Sequence, residues 1–390
     1  MKKTSQVLHS FLDRNMAVGC SAWVWQNGQE VFFEAVGLRN AATRLPFRRD
    51  TLCHMYSDSK PVAAVAVLQL MDAGKLSLED PLTRFFPEYE RTLAWNGRAL
   101  EPARPITIRH LLTMTSGIPY PAESAPGKDA NPAYHAYWAL DQRAQRDAEA
   151  GHPWTMAEYV RAMADCPLCF QPGDHWMYGL SCDVLGAVVE VVSGQSLDEY
   201  YREHIFGPLG MKDTGFALPP EKYARLASIY ANDDRLSLWE DGRIGYRMTE
   251  NPRMESAGAG LISCLDDYAR FCRMLIQGGE LDGVRILSEK AVEALHMGRL
   301  REFGLTPDAM DWEDEKGYDY GYLVRVMDDP AHSYYGSEKP GAFGWNGKAG
   351  TSIRIDPAKN RIVIFMTQIV PPDHNRYLPD LLAAIEEDFG

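Results

Sequence analysis

Ser57-Asp58-Ser59-Lys60-Pro61-Val62-Ala63-Ala64-Val65-Ala66-Val67-Leu68-Gln69-Leu70-Met71 sets a hydroxyl and an amine three residues apart at the head of an almost uncharged run. Residues at i and i+3 share a helix face, so the Lys60 amine can reach the Ser57 hydroxyl. A helix that is apolar all round is a buried one. Pro61 falls in its first turn, where a missing N–H costs little. A serine hydroxyl is a poor nucleophile without an adjacent base. A lysine serves as that base if burial lowers its pKa, since desolvation disfavours the charged form. The helix start adds unpaired amides that favour an oxyanion. The stretch therefore points to acyl transfer through a serine ester. S-x-x-K also occurs by chance, and it is the buried run behind it that gives the motif weight. Ser59 is a second hydroxyl, but no lysine stands at its i+3 position.

Outward from this helix the two ends of the chain mirror each other. Val7, Leu8, Phe11 and Leu12 mark an amphipathic helix. Cys20–Trp25 and Val31–Val36 then flank Asn27-Gly28, the strongest short hairpin signal. At the other end Thr351–Ile355 and Arg361–Met366 flank a turn through Asp356–Asn360. A last helix runs roughly from Leu378 to Phe389, with Leu381, Leu382, Ile385 and Phe389 on one face. Helix plus hairpin at both ends predicts an α+β fold: an antiparallel sheet from the two termini, flanked by the N- and C-terminal helices. Between them helical patterns dominate, over 108–114, 133–150, 156–164, 182–192 and 197–205, separated by joints such as Gly117-Ile118-Pro119-Tyr120-Pro121. The expected organisation is an α/β lobe from 1–75 and 240–390 and an inserted, mostly helical lobe over 76–239. Loops near 116–132, 218–256 and 303–318 are long for compact connections and are candidate walls or lids.

A chain of 390 residues suits two lobes or one large composite domain. The formal net charge of −14 speaks against nucleic acid or an anionic membrane as partner. Cys20, Cys53, Cys166, Cys169, Cys182, Cys264 and Cys272 are odd in number. A chain this long needs no disulfide staples, so free, mostly buried thiols in a reducing compartment are expected. Cys166-Pro167-Leu168-Cys169 has no second pair at zinc spacing and no redox context. Two lysines open the chain, but no apolar signal region follows and no run reaches the length of a membrane span. A cytoplasmic protein is the expectation. Asp311-Trp312-Glu313-Asp314-Glu315 reads as a solvated loop rather than a metal site.

Two further segments turn the opening motif into a set. Gln171-Pro172-Gly173-Asp174-His175-Trp176-Met177-Tyr178-Gly179-Leu180-Ser181 precedes a helix, and Gly344-Trp345-Asn346-Gly347-Lys348-Ala349-Gly350-Thr351 enters a strand. With Ser57-Asp58-Ser59-Lys60 they resemble the serine β-lactamase and penicillin-binding-protein superfamily. The nearest likeness is to its class C-like branch, which includes the family VIII carboxylesterases. The likeness covers nearly the whole chain and takes in His110-Leu111-Leu112-Thr113-Met114-Thr115-Ser116-Gly117 and Pro208-Leu209-Gly210-Met211. It implies an active site in the cleft between the two lobes. It also implies Ser57 as nucleophile, Lys60 beside it, and Tyr178 as the tyrosine of the Y-x-N motif, with Lys60 and Tyr178 acting as one coupled unit. The backbone amides of Ser57 and Lys348 would form the oxyanion hole. Gly347 would let substrate approach the strand closely.

Two departures bear on substrate. Leu180 stands where the family has Asn, and Trp345 where it has Lys or His. Carboxylesterases of the superfamily resemble this chain in that tryptophan. Leu180, Trp345 and Gly347 are thus expected to line an apolar pocket for a neutral acyl or alcohol group. The reading is a serine hydrolase acting through an acyl-enzyme on small neutral esters, with no cofactor and no metal implied. A D-amino-acid amidase, peptidase or β-lactamase is the alternative within catalysis. A non-catalytic binding or sensor protein on the same fold is the alternative outside it.

Overall fold

Asn27 and Gly28 both lie in the left-handed region, at φ 50° and 90°. That is the backbone a two-residue hairpin needs to match the twist of its strands. They join β1 (Gly19–Gln26) to β2 (Gln29–Asn40). The computed structural model of the chain describes residues 1–122, 131–239, 252–306, 309–310 and 315–390. Within it the main sheet adds β3 (Leu45–Pro46), β4 (Tyr318–Tyr320), β5 (Arg325–Met327), β6 (Phe343–Asn346), β7 (Ser352–Asp356) and β8 (Arg361–Thr367). The order is β4-β5-β6-β7-β8-β1-β2-β3, and every pairing is antiparallel. The two terminal hairpins meet where β1 runs beside β8, with Trp23 opposite Ile364.

The helices follow the predicted pattern with shifted ends. In chain order they are α1 (Lys3–Asp13), α2 (Lys60–Asp72), α3 (Ile108–Leu112), α4 (Pro132–Glu149), α5 (Met156–Met163), α6 (Ser181–Ser193) and α7 (Leu197–Tyr201). They continue with α8 (Leu265–Ile276), α9 (Glu289–Leu295) and α10 (His374–Phe389). Thr155 with Glu158 and Ser196 with Glu199 form capping boxes that start α5 and α7. Gly194, at φ 74°, ends α6. The terminal helices pack on each other and on the sheet: the Phe11 ring lies 6.0 Å from those of Phe365 and Tyr377. The Thr4 amide and hydroxyl both donate to Asp388. The last helix begins at His374, before the expected Leu378, and runs through Pro379. Proline cannot bond the carbonyl four residues back. That carbonyl, on Asn375, instead accepts from the Tyr334 hydroxyl at 3.0 Å.

α2 is buried on every side, as its composition requires, and it packs against α6 and α9. α8 lies across β7 and β8. All seven cysteines are free and buried. Among the described residues no helix is long and apolar enough to cross a membrane. One expectation is corrected. Glu315, the end of the acidic stretch read as solvated, is buried and pairs with buried Arg325 of β5 at 2.7 Å. Asp311–Asp314 and parts of all three long loops lie outside the described residues.

Candidate active site

Ser57 sits in a single 3-10 turn, Tyr56–Ser59, that feeds directly into α2. Tyr56 holds φ at 46°, a left-handed value rare for an aromatic residue. Ser57 itself is half-buried, whereas Lys60 is fully buried one turn below it. The Lys60 Nζ donates to Ser57 Oγ at 3.1 Å, to the Tyr120 hydroxyl at 3.2 Å and to the Gly258 carbonyl at 2.8 Å. An ammonium has three N–H donors and no acceptor, and the Tyr178 hydroxyl competes with these three oxygens for them. Nζ also lies 4.6 Å from the centroid of the Tyr178 ring.

Three separate segments converge on this lysine. Cys53–His54 pairs with Ile262–Ser263, and the Met55 amide donates to the Leu261 carbonyl. That pairing lays 258–263 along the nucleophile turn. At the start of α6, Asp183 accepts from Ser256 Oγ at 2.6 Å and from the Gly258 amide at 3.3 Å. It thereby aims the Gly258 carbonyl at Lys60. Residues 114–118 run beside 171–179: the Met177 amide donates to the Met114 carbonyl, and Ser116 and Ser181 hydroxyls meet at 2.8 Å. A Cβ at Gly179 would fall 2.0 Å from the Ile118 carbonyl oxygen, so only glycine permits this approach. The result sets the Tyr120 and Tyr178 rings edge to face at 5.5 Å.

Trp345, on β6, faces Tyr178 at 5.3 Å between ring centroids, and its Nε1 donates to the Tyr178 hydroxyl at 2.9 Å. Tyr320 packs edge-on against Trp345, and Trp176 stacks on Tyr178. Behind Trp345, the Arg325 guanidinium lies 5.8 Å from its ring and donates to Asn346 Oδ1 at 3.0 Å.

The electrostatics reverse one expectation. Burial does oppose a charge on Lys60, and it is the largest single influence there. The oxygens of Tyr120 and Tyr178 together outweigh it, and the amine is held above the ordinary lysine range. Lys60 is therefore an ammonium, not an amine neutralised by burial. Tyr120, in contrast, is pushed up by burial against the pull of Lys60 and stays a neutral phenol.

Ser57, Lys60, Tyr178 and Trp345 come together as expected. Other expected site residues behave differently. Leu180 is fully buried in the core and lines no open pocket wall. Gly347 is needed for contacts inside the protein: a Cβ there would lie 2.1 Å from Thr351 Oγ1 and 2.4 Å from the Met55 carbonyl oxygen. The Lys348 side chain is exposed. Among the described residues neither the Ser57 nor the Lys348 amide donates to another protein group. Ser59 is occupied, its Oγ accepting from the Leu261 amide at 3.1 Å. Tyr120, Asp183 and Gly258 were not singled out beforehand. Tyr120 stood in a segment read only as a Pro/Gly joint, and its aromatic ring between two prolines was the one available signal.

Residues 5–387 match the family described as Beta-lactamase. Protein Rv1367c of Mycobacterium tuberculosis is 34% identical over 92% of this chain and 88% of its own length. Esterase EstB of Burkholderia gladioli is 31% identical over 93% of this chain and 88% of its own. Among solved structures, EstCE1, described as a hydrolase with promiscuous acyltransferase activity, matches with a TM-score of 0.82 at 24% identity. The match covers 98% of this chain and 97% of that one.

Proposed function

The chain belongs to the beta-lactamase family and is a serine hydrolase; from that footing we propose that it is an esterase, cleaving small neutral esters through an acyl-enzyme on Ser57. The observation that carries this reading is the indole of Trp345. It stands at the third-motif position and spends its N–H on Tyr178. That position thus offers no cation to a substrate carboxylate, and aromatic faces surround the reacting groups. EstB is named an esterase, which supports the same class.

In this mechanism Tyr178 acts as a phenolate: Ser57 Oγ attacks the ester carbonyl, Lys60 takes the Ser57 proton as it passes one of its own to the Tyr178 oxygen, and Tyr178 becomes a neutral phenol. Lys60 is an ammonium before and after this exchange and relays rather than stores the proton. Before the attack, the charge on the Tyr178 oxygen is held by the Lys60 ammonium and by the Trp345 N–H. The amides of Ser57 and Lys348 receive the oxyanion. Collapse expels the alcohol, which takes its proton back from Tyr178. Water then repeats the sequence to release the acid, with Tyr178 taking the proton of the attacking water.

The test is a paired comparison of p-nitrophenyl butyrate with nitrocefin on wild type and Ser57→Ala. The ester is expected to turn over faster per enzyme, with activity lost in Ser57→Ala. Faster nitrocefin turnover would make the protein a lactam hydrolase instead. Turnover of neither, with no labelling by a fluorophosphonate, would favour a binding protein.

A further inference from the structure

The oxyanion amides assigned above belong to two different pieces of chain: Ser57 to the turn before α2, and Lys348 to the turn linking β6 and β7. A preorganised hole requires these two turns to stay fixed relative to each other to within a fraction of an ångström. We propose that Asp58 is the positioning residue that locks them together, a role resting on the esterase reading of the site.

Asp58 springs from the first turn and reaches the second. Thr351 Oγ1, at the far end of the β6–β7 turn, donates to Asp58 Oδ2 at 2.6 Å. The same hydroxyl lies 3.3 Å from the Met55 carbonyl, at the base of the nucleophile turn. Gly347 closes the contact, since its missing Cβ leaves room for Thr351 Oγ1, Met55 O and Asp58 Oδ2 at once. From the opposite side, the Tyr268 hydroxyl of α8 donates to the Asp58 backbone carbonyl. One residue thus ties the nucleophile turn both to the β6–β7 turn and to the helix beneath the sheet.

Two further observations separate this clamp from ordinary packing. Asp58 is completely buried, yet its Oδ1 has no hydrogen-bond partner among the described residues. A bare buried carboxyl oxygen is costly, and an apolar side chain would fill the same space more cheaply. The turn it holds is also strained. Tyr56, directly before the nucleophile, keeps its left-handed φ of 46° only while its surroundings hold it there. Loosening the Asp58–Thr351 bond lets that turn relax and carries the Ser57 amide away from Lys348.

The clamp is tested with the full chain and p-nitrophenyl butyrate, in Asp58→Ala, Thr351→Val, Thr351→Ser and the double variant Asp58→Ala/Thr351→Val. Loss of a well-placed oxyanion donor should lower kcat by at least about tenfold in Asp58→Ala and in Thr351→Val, with KM changed by less than about twofold. Thr351→Ser, which keeps the hydroxyl, should return kcat to within about threefold of wild type. The double variant should lose no more than the worse single one, because both remove one shared contact. Wild-type kcat in Thr351→Val, or multiplied losses in the double variant, would overturn the clamp. If Asp58→Ala fails to fold, the Thr351→Val and Thr351→Ser pair decides alone. Acylation of Ser57 in wild type tells the two claims apart. If it occurs and the variants turn over normally, only the clamp falls; if it does not, the esterase reading falls and the clamp with it.

Discussion

Lys60 is surrounded by oxygens and ring faces, and that company fixes its role. An ammonium that relays a proton must be able to give one up for an instant, which a guanidinium cannot do. Lys60→Arg is expected to lower kcat/KM by well over about tenfold, even if folding is intact by circular dichroism. Activity near wild type would remove Lys60 from the proton path. The Trp345 hydrogen bond is a separate case. Trp345→Phe keeps an aromatic face but withdraws the N–H from Tyr178. A hydrogen bond to a group that bears charge in the transition state is worth roughly 1.5–3 kcal/mol, so kcat should fall about tenfold to a hundredfold. At this scale the sequence was legible where chemistry is local. Ser57 and Lys60 share one turn, and Tyr178 precedes the apolar start of α6. Gly258 was not legible, because it acts through a backbone carbonyl and leaves no side-chain signal. Gly347 was visible, but the internal contacts that require it were not, since Met55 and Asp58 lie far away in sequence.

At the scale of elements, periodicity and turn residues located most helices and both terminal hairpins, and tertiary partners moved their ends. The last helix starts at His374, ahead of the expected Leu378, and Tyr334, from a distant loop, satisfies the carbonyl that Pro379 leaves bare. The acidic stretch before β4 misled for a related reason. Glu315 reads as a surface charge until Arg325 is seen to be fully buried beside it. That pair, with Asn346 on the other side of the guanidinium, braces β5 against β6 and supports Trp345 from behind. Removing one partner of a buried pair leaves the other charge uncompensated. Arg325→Met is therefore expected to cost about 3–5 kcal/mol in urea unfolding, with Glu315 stranded. Glu315→Gln, which keeps an acceptor for Arg325, should cost less. Equal and small losses in both variants would show that the pair is not braced as described.

For the whole molecule, stability should depend on pH through Asp58. Burial raises its carboxyl from 3.8 to about 7, against the Thr351 hydrogen bond, the nearby Arg325 and Lys60 charges and the Gly347 backbone amide. Tyr268, Cys272 and Tyr377 also face it, and each is itself pushed up by burial and stays neutral. A carboxyl whose folded value is raised contributes stability that is fully present below its unfolded value and is lost as pH rises through about 7. Asp58→Asn should therefore gain in melting temperature relative to wild type on going from acid to about pH 8. A difference that stays constant with pH would show that Asp58 does not titrate in that window.

The catalytic expectations depend on Ser57 becoming covalently acylated where Lys60, Tyr120 and Tyr178 converge. The direct measurement is mass spectrometry of the protein quenched during turnover of p-nitrophenyl butyrate, with the acylated peptide sequenced. A butyryl group on Ser57, absent from Ser57→Ala, is the expected result. Ester turnover that persists in Ser57→Ala, or an acyl group found on another residue, would contradict it.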